Sequence, residues 1–142
     1  MDEKIRAEFV NRVAEEPYAK KLGMRLVEVS YGYAVVEMAL TAETENILGM
    51  PHGGAIFSVI DEAFEVSSNS HGTVAVGLNM SVTYHQSPER RTTLRAISRE
   101  IHRTRKTATY DITVTDGKNA LIASCTALVY RKKDIVPFLS ND

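Results

Sequence analysis

An aspartate inside an otherwise apolar helical segment is the first feature of this sequence that could do chemistry. Residues 46–61 read NILGMPHGGAIFSVID, so a glycine-rich loop leads into an apolar run that ends at Asp61. A positioned carboxylate can act as a nucleophile or as a general base. Gly53 and Gly54 open the same segment, where unpaired backbone N–H groups and the helix dipole favour an anion. One predicted helix therefore carries both a carboxylate and an anion-stabilising end.

Hydrophobic periodicity over residues 53–70 predicts the helix that carries this aspartate. The His71-Gly72 pair that follows supplies a C-terminal stop. The predicted core-facing stripe recurs at helical spacing. It consists of Ile56, Val59, Ile60, Ala63, Val66 and Ser67.

The position of Asp61 beside that stripe leaves two interpretations. At about 100° per residue, Phe57 lies one turn before Asp61 and Phe64 about one turn after it. In one interpretation the phenyl rings bracket a catalytic carboxylate. In the other, Asp61, Glu62 and Glu65 form an ordinary solvated acidic face. The rings and the glycine-rich entry favour the catalytic interpretation.

Helix geometry separates the two chemical groups. Gly53 and Asp61 are eight residues apart, which is roughly 12 Å along the axis at a rise of about 1.5 Å per residue. One helix does not bring both groups to the same substrate atom. If two copies pack antiparallel through these helices, the start of one helix faces the middle of the other. We therefore expect a site shared across a homodimer.

Strand-like runs account for most of the remaining sequence and predict an α+β domain over residues 1–142. Ile5, Phe9 and Val13 predict a short N-terminal helix that stops before Pro17. The order of elements favours an antiparallel sheet of about six strands packed on the one long helix. The predicted strands are 24–30, 33–40, 73–86, 92–103, 107–116 and 120–132.

Composition excludes several classes of protein. The 142 residues carry 17 Lys plus Arg against 18 Asp plus Glu, a net charge of −1, so there is no basic excess for nucleic acid. We find neither a signal-peptide pattern nor a membrane-length apolar run, and expect a cytoplasmic protein. The single cysteine, Cys125, lies in an apolar run and is predicted to be a buried, inert thiol. Residues 137–142 are predicted to be a loose tail.

Two further catalytic or metal chemistries find no support in the spacing. Ser58 lies inside the helix and not in a Gly-x-Ser-x-Gly frame, which argues against a serine hydrolase. The histidines have no metal-ligand spacing, so a zinc site is not predicted. They are His52, His71, His85 and His102.

The order of motifs carries a family resemblance. Asn46 is followed by His-Gly-Gly at residues 52–54, then by Asp61, and then by a strand that ends in Ser87-Pro88. This order, within a similarity over about residues 20–131, resembles the PaaI-like branch of the 4-hydroxybenzoyl-CoA thioesterase superfamily. The resemblance implies the hotdog fold, an acyl-CoA substrate, and active sites at the interface of obligate dimers, which often pair into tetramers. Dimer and tetramer remain open alternatives.

The resemblance also implies a role for each motif residue. The Gly53 backbone N–H would polarise the thioester carbonyl, and Asp61 of the other subunit would act as nucleophile or as general base on water. Asn46 would position that water or the carbonyl, and His52 would order the loop. No metal or cofactor is required. Some relatives have Ser or Thr on the next strand to hold the water, whereas this chain has Gly77.

The residues expected to bind substrate fall into two groups. Rings and a glycine near the helix start would contact the acyl part, and a basic turn would contact the phosphates of CoA. The alternative for the basic turn is ordinary solvated charge. These residues are Gly54, Phe57, Phe64, Arg103, Arg105 and Lys106.

Thioester hydrolysis of a medium-chain or aryl acyl-CoA is the function that the resemblance implies. One alternative is another hotdog enzyme, such as an acyl-thioester dehydratase, which would need a His–Asp or His–Glu pair that the sequence does not reveal. The other is a non-catalytic acyl-CoA-binding module, in which Asp61 would be only a charge on a helix face.

Overall fold

Antiparallel strands form one six-stranded sheet in the computed structural model, which describes residues 1–140. Neighbouring strands follow the order β1-β2-β4-β5-β6-β3, and every pairing is antiparallel. The predicted α+β class and strand number are confirmed. The strands are β1 (Met24–Ser30), β2 (Tyr33–Ala39), β3 (Thr73–Tyr84), β4 (Thr93–Arg103), β5 (Thr107–Thr115) and β6 (Leu121–Ile135).

A long helix contacts every strand of this sheet. The helices are α1 (Glu3–Glu15), α2 (Pro17–Leu22) and α3 (Gly53–Asn69). Helix α3 is the central element, and all positions of its predicted apolar stripe are buried. Its one polar stripe residue, Ser67, shares a hydrogen bond of 2.7 Å with the hydroxyl of Ser98 on β4. The pair satisfies both buried hydroxyls, so α3 packs on the sheet without an unpaired polar group at this point.

Helix α2 is an element that the sequence analysis missed. Pro17 predicts the stop of α1, and α1 does end at Glu15. Proline is also favoured at the first position of a helix, where its missing N–H costs nothing. Pro17 occupies that position in α2, which ends at Gly23 in the left-handed conformation with φ 67°. Tyr18 then joins α2 to α3 through a hydrogen bond of 2.8 Å to the Ser58 hydroxyl.

The C-terminal segment is ordered by aromatic packing. Residues Pro137–Leu139 form a short 3₁₀ helix. Phe138 packs edge-to-face on Phe9 of α1 with ring centroids 5.1 Å apart, and the Arg12 guanidinium lies 5.4 Å from the Phe138 ring centre. The predicted loose tail is therefore wrong for residues 137–140, because Phe138 gains a partner that only the fold supplies. Residues 141 and 142 lie outside the described part of the chain.

The two edges of the sheet differ. Edge strand β1 is covered by α1, whereas β3 pairs with β6 on one side only. Hydrophobic side chains at Val76, Leu78 and Tyr84 are exposed along β3. Long apolar edges of this kind are normally covered in native proteins.

The helices of residues 1–140 include none with the length and apolar character of a membrane span.

Replacing Phe138 with alanine tests the packing of the C-terminal segment. We expect Phe138→Ala to lower the free energy of unfolding by about 2 kcal/mol, because it removes an aromatic pair and partly buried apolar area. Urea unfolding followed by circular dichroism measures the change. Lys133→Ala, at an exposed position of β6, is the control and should have little effect. Equal free energies of unfolding for Phe138→Ala and Lys133→Ala would show that Phe138 does not stabilise the packing of this segment on α1.

Candidate active site

The loop before α3 is closed by Asn46. Its Oδ1 accepts hydrogen bonds from the backbone N–H groups of Leu48 at 2.9 Å and Met50 at 3.1 Å. Gly49 completes the turn with φ 67°, a conformation that favours glycine. Within residues 1–140 the side-chain Nδ2 group of Asn46 has no hydrogen-bond partner. The loop thus uses the oxygen of Asn46, and the amide nitrogen remains able to donate to a ligand.

His52 caps the N-terminus of α3. Its Nδ1 accepts a hydrogen bond of 2.8 Å from the Gly54 N–H, and its carbonyl oxygen accepts from the Ala55 N–H at 3.0 Å. A side chain at Gly54 would start 3.0 Å from that Nδ1, so the glycine lets the imidazole fold over the helix start. The Gly53 N–H has no partner within the described residues. The cap therefore pairs the N–H groups of Gly54 and Ala55. Within the described residues it leaves the Gly53 N–H as the unpaired donor at the positive end of the helix.

Tyr84 is a contact to the helix start that the sequence analysis missed. Its hydroxyl donates a hydrogen bond of 3.0 Å to the Gly53 carbonyl oxygen. Its ring lies 3.6 Å from the point where a Cβ on Gly53 would stand. The only signal in the sequence is an aromatic residue at the end of a strand, just before Ser87-Pro88, and its direction is decided by the pairing of β3. Tyr84 fixes the peptide that follows the Gly53 N–H.

Asp61 lies in the middle of α3 on the wall of a cavity. Its carboxylate has no hydrogen bond or ion pair within residues 1–140. Although the residue is exposed in the protomer, the surrounding side chains partly desolvate the carboxyl group, and this burial raises the pKa of Asp61 above its usual value. A carboxylate without a hydrogen-bonding partner remains available as a base or a nucleophile.

The cavity beside Asp61 has a volume of about 670 Å³, opens to solvent, and is lined by α1, α3, β3 and the C-terminal segment. Its apolar wall includes Phe64, Val76 and Phe138. Most of Phe64 is nevertheless committed to the core, where its ring packs edge-to-face on Tyr110 at a centroid distance of 5.5 Å. Of the two rings predicted to flank the aspartate, Phe64 shares the cavity with it. Phe57 is half-buried and is not part of the cavity wall.

Gly77 also lies on the cavity wall. A Cβ at this position would start 3.4 Å from Cε1 of Phe64. This distance is at the short end of ordinary van der Waals contact, so a serine or threonine here would pack directly against the Phe64 ring. At this position the chain has open cavity wall in place of the expected hydroxyl.

The acidic residues around Asp61 do not form a uniform solvated face. Glu65 is exposed, but Glu62 is only 4% exposed and faces Glu16. Burial, reinforced by the charges of Glu16 and Glu65, raises the pKa of Glu62 to about 8. The interpretation as a solvated face is wrong for Glu62. Glu62 lies close to Glu16, in the link between α1 and α2, and the sequence did not predict this contact.

The start and the middle of α3 remain far apart in the protomer. The helix is unbroken over its 17 residues, so the Gly53 N–H and Asp61 are separated by about 12 Å along its axis. Asn46 and His52 lie with Gly53 at the start of the helix. One protomer therefore places the predicted anion-binding group and the predicted carboxylate in two separate places.

The predicted phosphate-binding residues lie at the end of β4 and in the turn that leads to β5. Arg103, Arg105 and Lys106 are all exposed. The Nε of Arg103 lies 3.4 Å from Oε1 of Glu100. Within the described residues, neither of the other two forms an ion pair. Two cations of this turn are thus available to an anionic ligand, and none of the three lines the cavity.

A buried thiol and a His–Glu pair lie outside the candidate site. Cys125 is buried as predicted, and burial raises the pKa of its thiol to about 11, which disfavours the reactive thiolate. His71 Nε2 lies 2.7 Å from Oε2 of Glu100, a pair that the sequence analysis did not find. The same oxygen accepts a hydrogen bond of 2.9 Å from the Tyr110 hydroxyl. His71 follows the C-terminal end of α3, away from Gly53, so this pair does not form part of the candidate site.

Sequence relatives share most of the chain. The sequence model of the thioesterase superfamily matches residues 48–123 of this chain. A protein from Archaeoglobus fulgidus is 36% identical over 137 residues, which cover 93% of this chain and 89% of that protein. The acyl-coenzyme A thioesterase PaaI of Escherichia coli K12 is 32% identical over 105 residues, covering 74% of this chain and 75% of that enzyme.

Solved structures share the fold. The E. coli PaaI structure superposes with a TM-score of 0.87 and 27% identity, covering 93% of this chain and 96% of that one. A Streptococcus mutans protein bound to acetyl-CoA has a TM-score of 0.76 and 28% identity, covering 80% of this chain and 91% of that one. This chain belongs to the thioesterase superfamily and is a thioester hydrolase with the hotdog fold of the PaaI-like branch.

Proposed function

We propose that this protein is an acyl-CoA thioesterase that hydrolyses medium-chain or aryl acyl-CoA to the free acid and CoA. The observation that carries the proposal is the pair of unpartnered groups on α3, within the described residues, in a member of this superfamily. The Gly53 N–H lies at the positive end of the helix, and the Asp61 carboxylate lies on an apolar cavity wall. The relatives named above include an acyl-CoA thioesterase and a protein that binds acetyl-CoA.

The proposed chemistry uses both groups. The thioester carbonyl oxygen accepts a hydrogen bond from the Gly53 N–H, which stabilises the oxyanion as the carbonyl carbon becomes tetrahedral. In the general-base route, Asp61 takes a proton from water and the hydroxide attacks that carbon. In the nucleophilic route, Asp61 attacks directly and water then hydrolyses the acyl-enzyme anhydride. In both routes the C–S bond breaks and the CoA thiolate leaves and takes up a proton.

Two protomers complete each site in this proposal. The separation of about 12 Å within one helix requires that the Gly53 N–H of one protomer meets Asp61 of another. The exposed apolar edge of β3 supports this, as do two side chains of the loop before α3, Ile47 at 101% and Leu48 at 74% exposure. A second copy of the chain would cover these surfaces. Dimers and tetramers both satisfy this requirement.

The volume and the apolar wall of the cavity support the proposed class of acyl group. A volume of about 670 Å³ with an apolar wall accommodates a medium-length alkyl chain or an aryl ring. The exposed cations Arg105 and Lys106 would contact the phosphates of CoA, with Arg103 held partly by Glu100. Asn46 and His52 hold the loop that the thioester must pass. The acyl part would thus lie in the cavity and the nucleotide at the surface.

Tyr84 acts in this proposal as a positioning residue. Its hydrogen bond to the Gly53 carbonyl oxygen orients the first peptide of α3, but its hydroxyl does not contact the substrate. Its effect would therefore appear in the rate of the chemical step more than in substrate binding.

Asp61→Asn tests the carboxylate. We expect kcat to fall by about two orders of magnitude or more, with the oligomer intact, because the carboxamide is neither a base nor a nucleophile. Release of the CoA thiol from short, medium, long and aromatic acyl-CoA esters measures the rate. Glu65→Gln is the matched control on the same helix, and it should retain more activity than Asp61→Asn. Saturable acyl-CoA binding without thiol release, unaffected by Asp61→Asn, would identify a binding module instead.

Gly53→Pro tests the N–H donor with little change in backbone. Proline suits the first position of a helix, and His52 has φ −73° and ψ 134°, which a following proline accepts. We expect kcat to fall by about 10²–10³-fold because the oxyanion donor is lost. Gly53→Ala keeps the N–H and is the control. Similar rates for Gly53→Pro and Gly53→Ala would rule out this donor.

Mixing the two inactive variants tests the shared site. Equal amounts of Asp61→Asn and Gly53→Pro, unfolded and refolded together, form mixed dimers with one intact site and one doubly altered site. Random pairing should restore about a quarter of the wild-type rate. Each variant refolded alone is the control. A mixture no more active than its components, or a sedimentation mass of one chain, would contradict a site shared between protomers.

Tyr84→Phe tests the positioning residue. Losing one hydrogen bond of about 0.5–1.5 kcal/mol should lower kcat by roughly 2–12-fold while KM changes little. Tyr130→Phe is the control, because its exposed hydroxyl has no hydrogen bond within the described residues. Steady-state kinetics with one acyl-CoA distinguishes a positioning role of Tyr84 from direct contact with the substrate. A rise in KM with unchanged kcat would argue that Tyr84 contacts substrate.

A further inference from the structure

Carboxylates from two segments converge on the cavity wall next to Asp61. Glu16 comes from the link between α1 and α2, and Glu62 and Glu65 come from α3. One oxygen of each carboxylate lies within 4.8 Å of the other two. The roles proposed for Gly53 and Asp61 in thioester hydrolysis use none of these three groups.

Glu62 is the informative member of this acidic triad. The residue is only 4% exposed, and its Oε1 has no hydrogen-bond partner within residues 1–140. A buried and unpartnered carboxylate oxygen is costly, so a native structure normally supplies a partner for it. Glu62 contributes one carboxylate oxygen to the triad, and the other two carboxylates are acceptors when ionised and therefore provide no hydrogen-bond donor.

The surroundings supply no compensating cation. Within the described residues no ion pair involves Glu16, Glu62 or Glu65. Arg12 lies on the same cavity wall, but its guanidinium lies over the Phe138 ring at 5.4 Å from the ring centre. The pKa of Glu62, raised to about 8 by burial and by the neighbouring acids, reflects this uncompensated charge.

We propose that Glu16, Glu62 and Glu65 bind a hard divalent cation of the Ca²⁺, Mg²⁺ or Mn²⁺ class. Oxygens bound at about 2.1–2.5 Å to one such ion are at most about 4–5 Å apart, which the separation within the triad matches. All three ligands are carboxylates, the donor type that these ions prefer, and the site offers no thiol or imidazole of the kind zinc favours. Water from the open cavity completes the coordination.

The cation would join the N-terminal helices to α3. The Glu16 N–H donates to the Arg12 carbonyl oxygen at 2.8 Å at the end of α1, and the Glu16 carbonyl oxygen accepts from the Lys20 N–H at 2.9 Å in α2. An ion held by Glu16 and by two residues of α3 therefore fixes the junction of both short helices. It also neutralises charge on the wall that the proposed acyl group would contact. Binding to the folded state alone raises stability by mass action.

Cation titration of the metal-free protein tests this proposal. The protein is treated with EDTA, exchanged into metal-free buffer and titrated with Mn²⁺, with free Mn²⁺ followed by electron paramagnetic resonance. Ca²⁺ and Mg²⁺ are compared by calorimetry. We expect saturable binding of about one ion per chain and a melting temperature that rises with ion concentration. No substrate is present, so the result does not depend on whether the protein hydrolyses acyl-CoA.

Variants locate the ion. Glu62→Gln keeps the shape of the side chain and removes the buried charge, and it should weaken Mn²⁺ binding at least about 10-fold, like the loss of one well-placed ligand. Glu16→Gln is a second variant at a less buried position, in case the first does not fold. Glu15→Gln is the matched control, because Glu15 lies on the same cavity wall outside the triad.

Two outcomes would overturn the proposal. No saturable binding of any of the three ions at millimolar concentration would show that the triad is not a cation site. Binding that Glu62→Gln and Glu16→Gln leave as strong as in Glu15→Gln would place the ion elsewhere on the protein.

Discussion

The rigid spacing along α3 is the constraint on which the proposed site depends. The His52 cap uses the Gly54 and Ala55 N–H groups, so the free donor is limited to Gly53. The same helix then carries Asp61 about 12 Å further along its axis, because each residue adds about 1.5 Å. An intramolecular rearrangement that keeps the helix does not shorten this distance. The chemistry proposed here thus connects the catalytic geometry directly to association of the chain with itself.

Packing around α3 also determines how strongly each carboxylate on the helix is desolvated. Asp61 and Glu62 are neighbours in sequence and line the same cavity, yet Asp61 is exposed whereas Glu62 is only 4% exposed and lies close to Glu16. Desolvation raises both pKa values, but the buried group is also surrounded by like charges. One helix thereby carries the carboxylate proposed to act in hydrolysis and, one residue later, the carboxylate proposed to bind a cation.

Local patterns were sufficient for most of the fold. The periodicity of 3.6 over residues 53–70 and the alternation in the strands predict elements whose observed bounds differ by only a few residues. The motif order identified the superfamily. The patterns failed where a residue can either end or begin a helix, and where a side chain packs on a residue far away in sequence. Pro17 ends one helix and begins another, and Phe138 is unremarkable in sequence but packs on Phe9 across the chain.

The sequence by itself determined the helix, the strands around it, and the order of the Asn, His-Gly-Gly and Asp positions, because these depend on spacing between near neighbours. Only the tertiary structure decided which groups meet across long separations. Tyr84 reaches Gly53 from β3, and Gly77 lies against the Phe64 ring. One carboxylate oxygen of Glu16, from the α1–α2 link, comes within 4.8 Å of carboxylate oxygens on α3. Such contacts follow from the packing of whole elements, which periodicity does not encode.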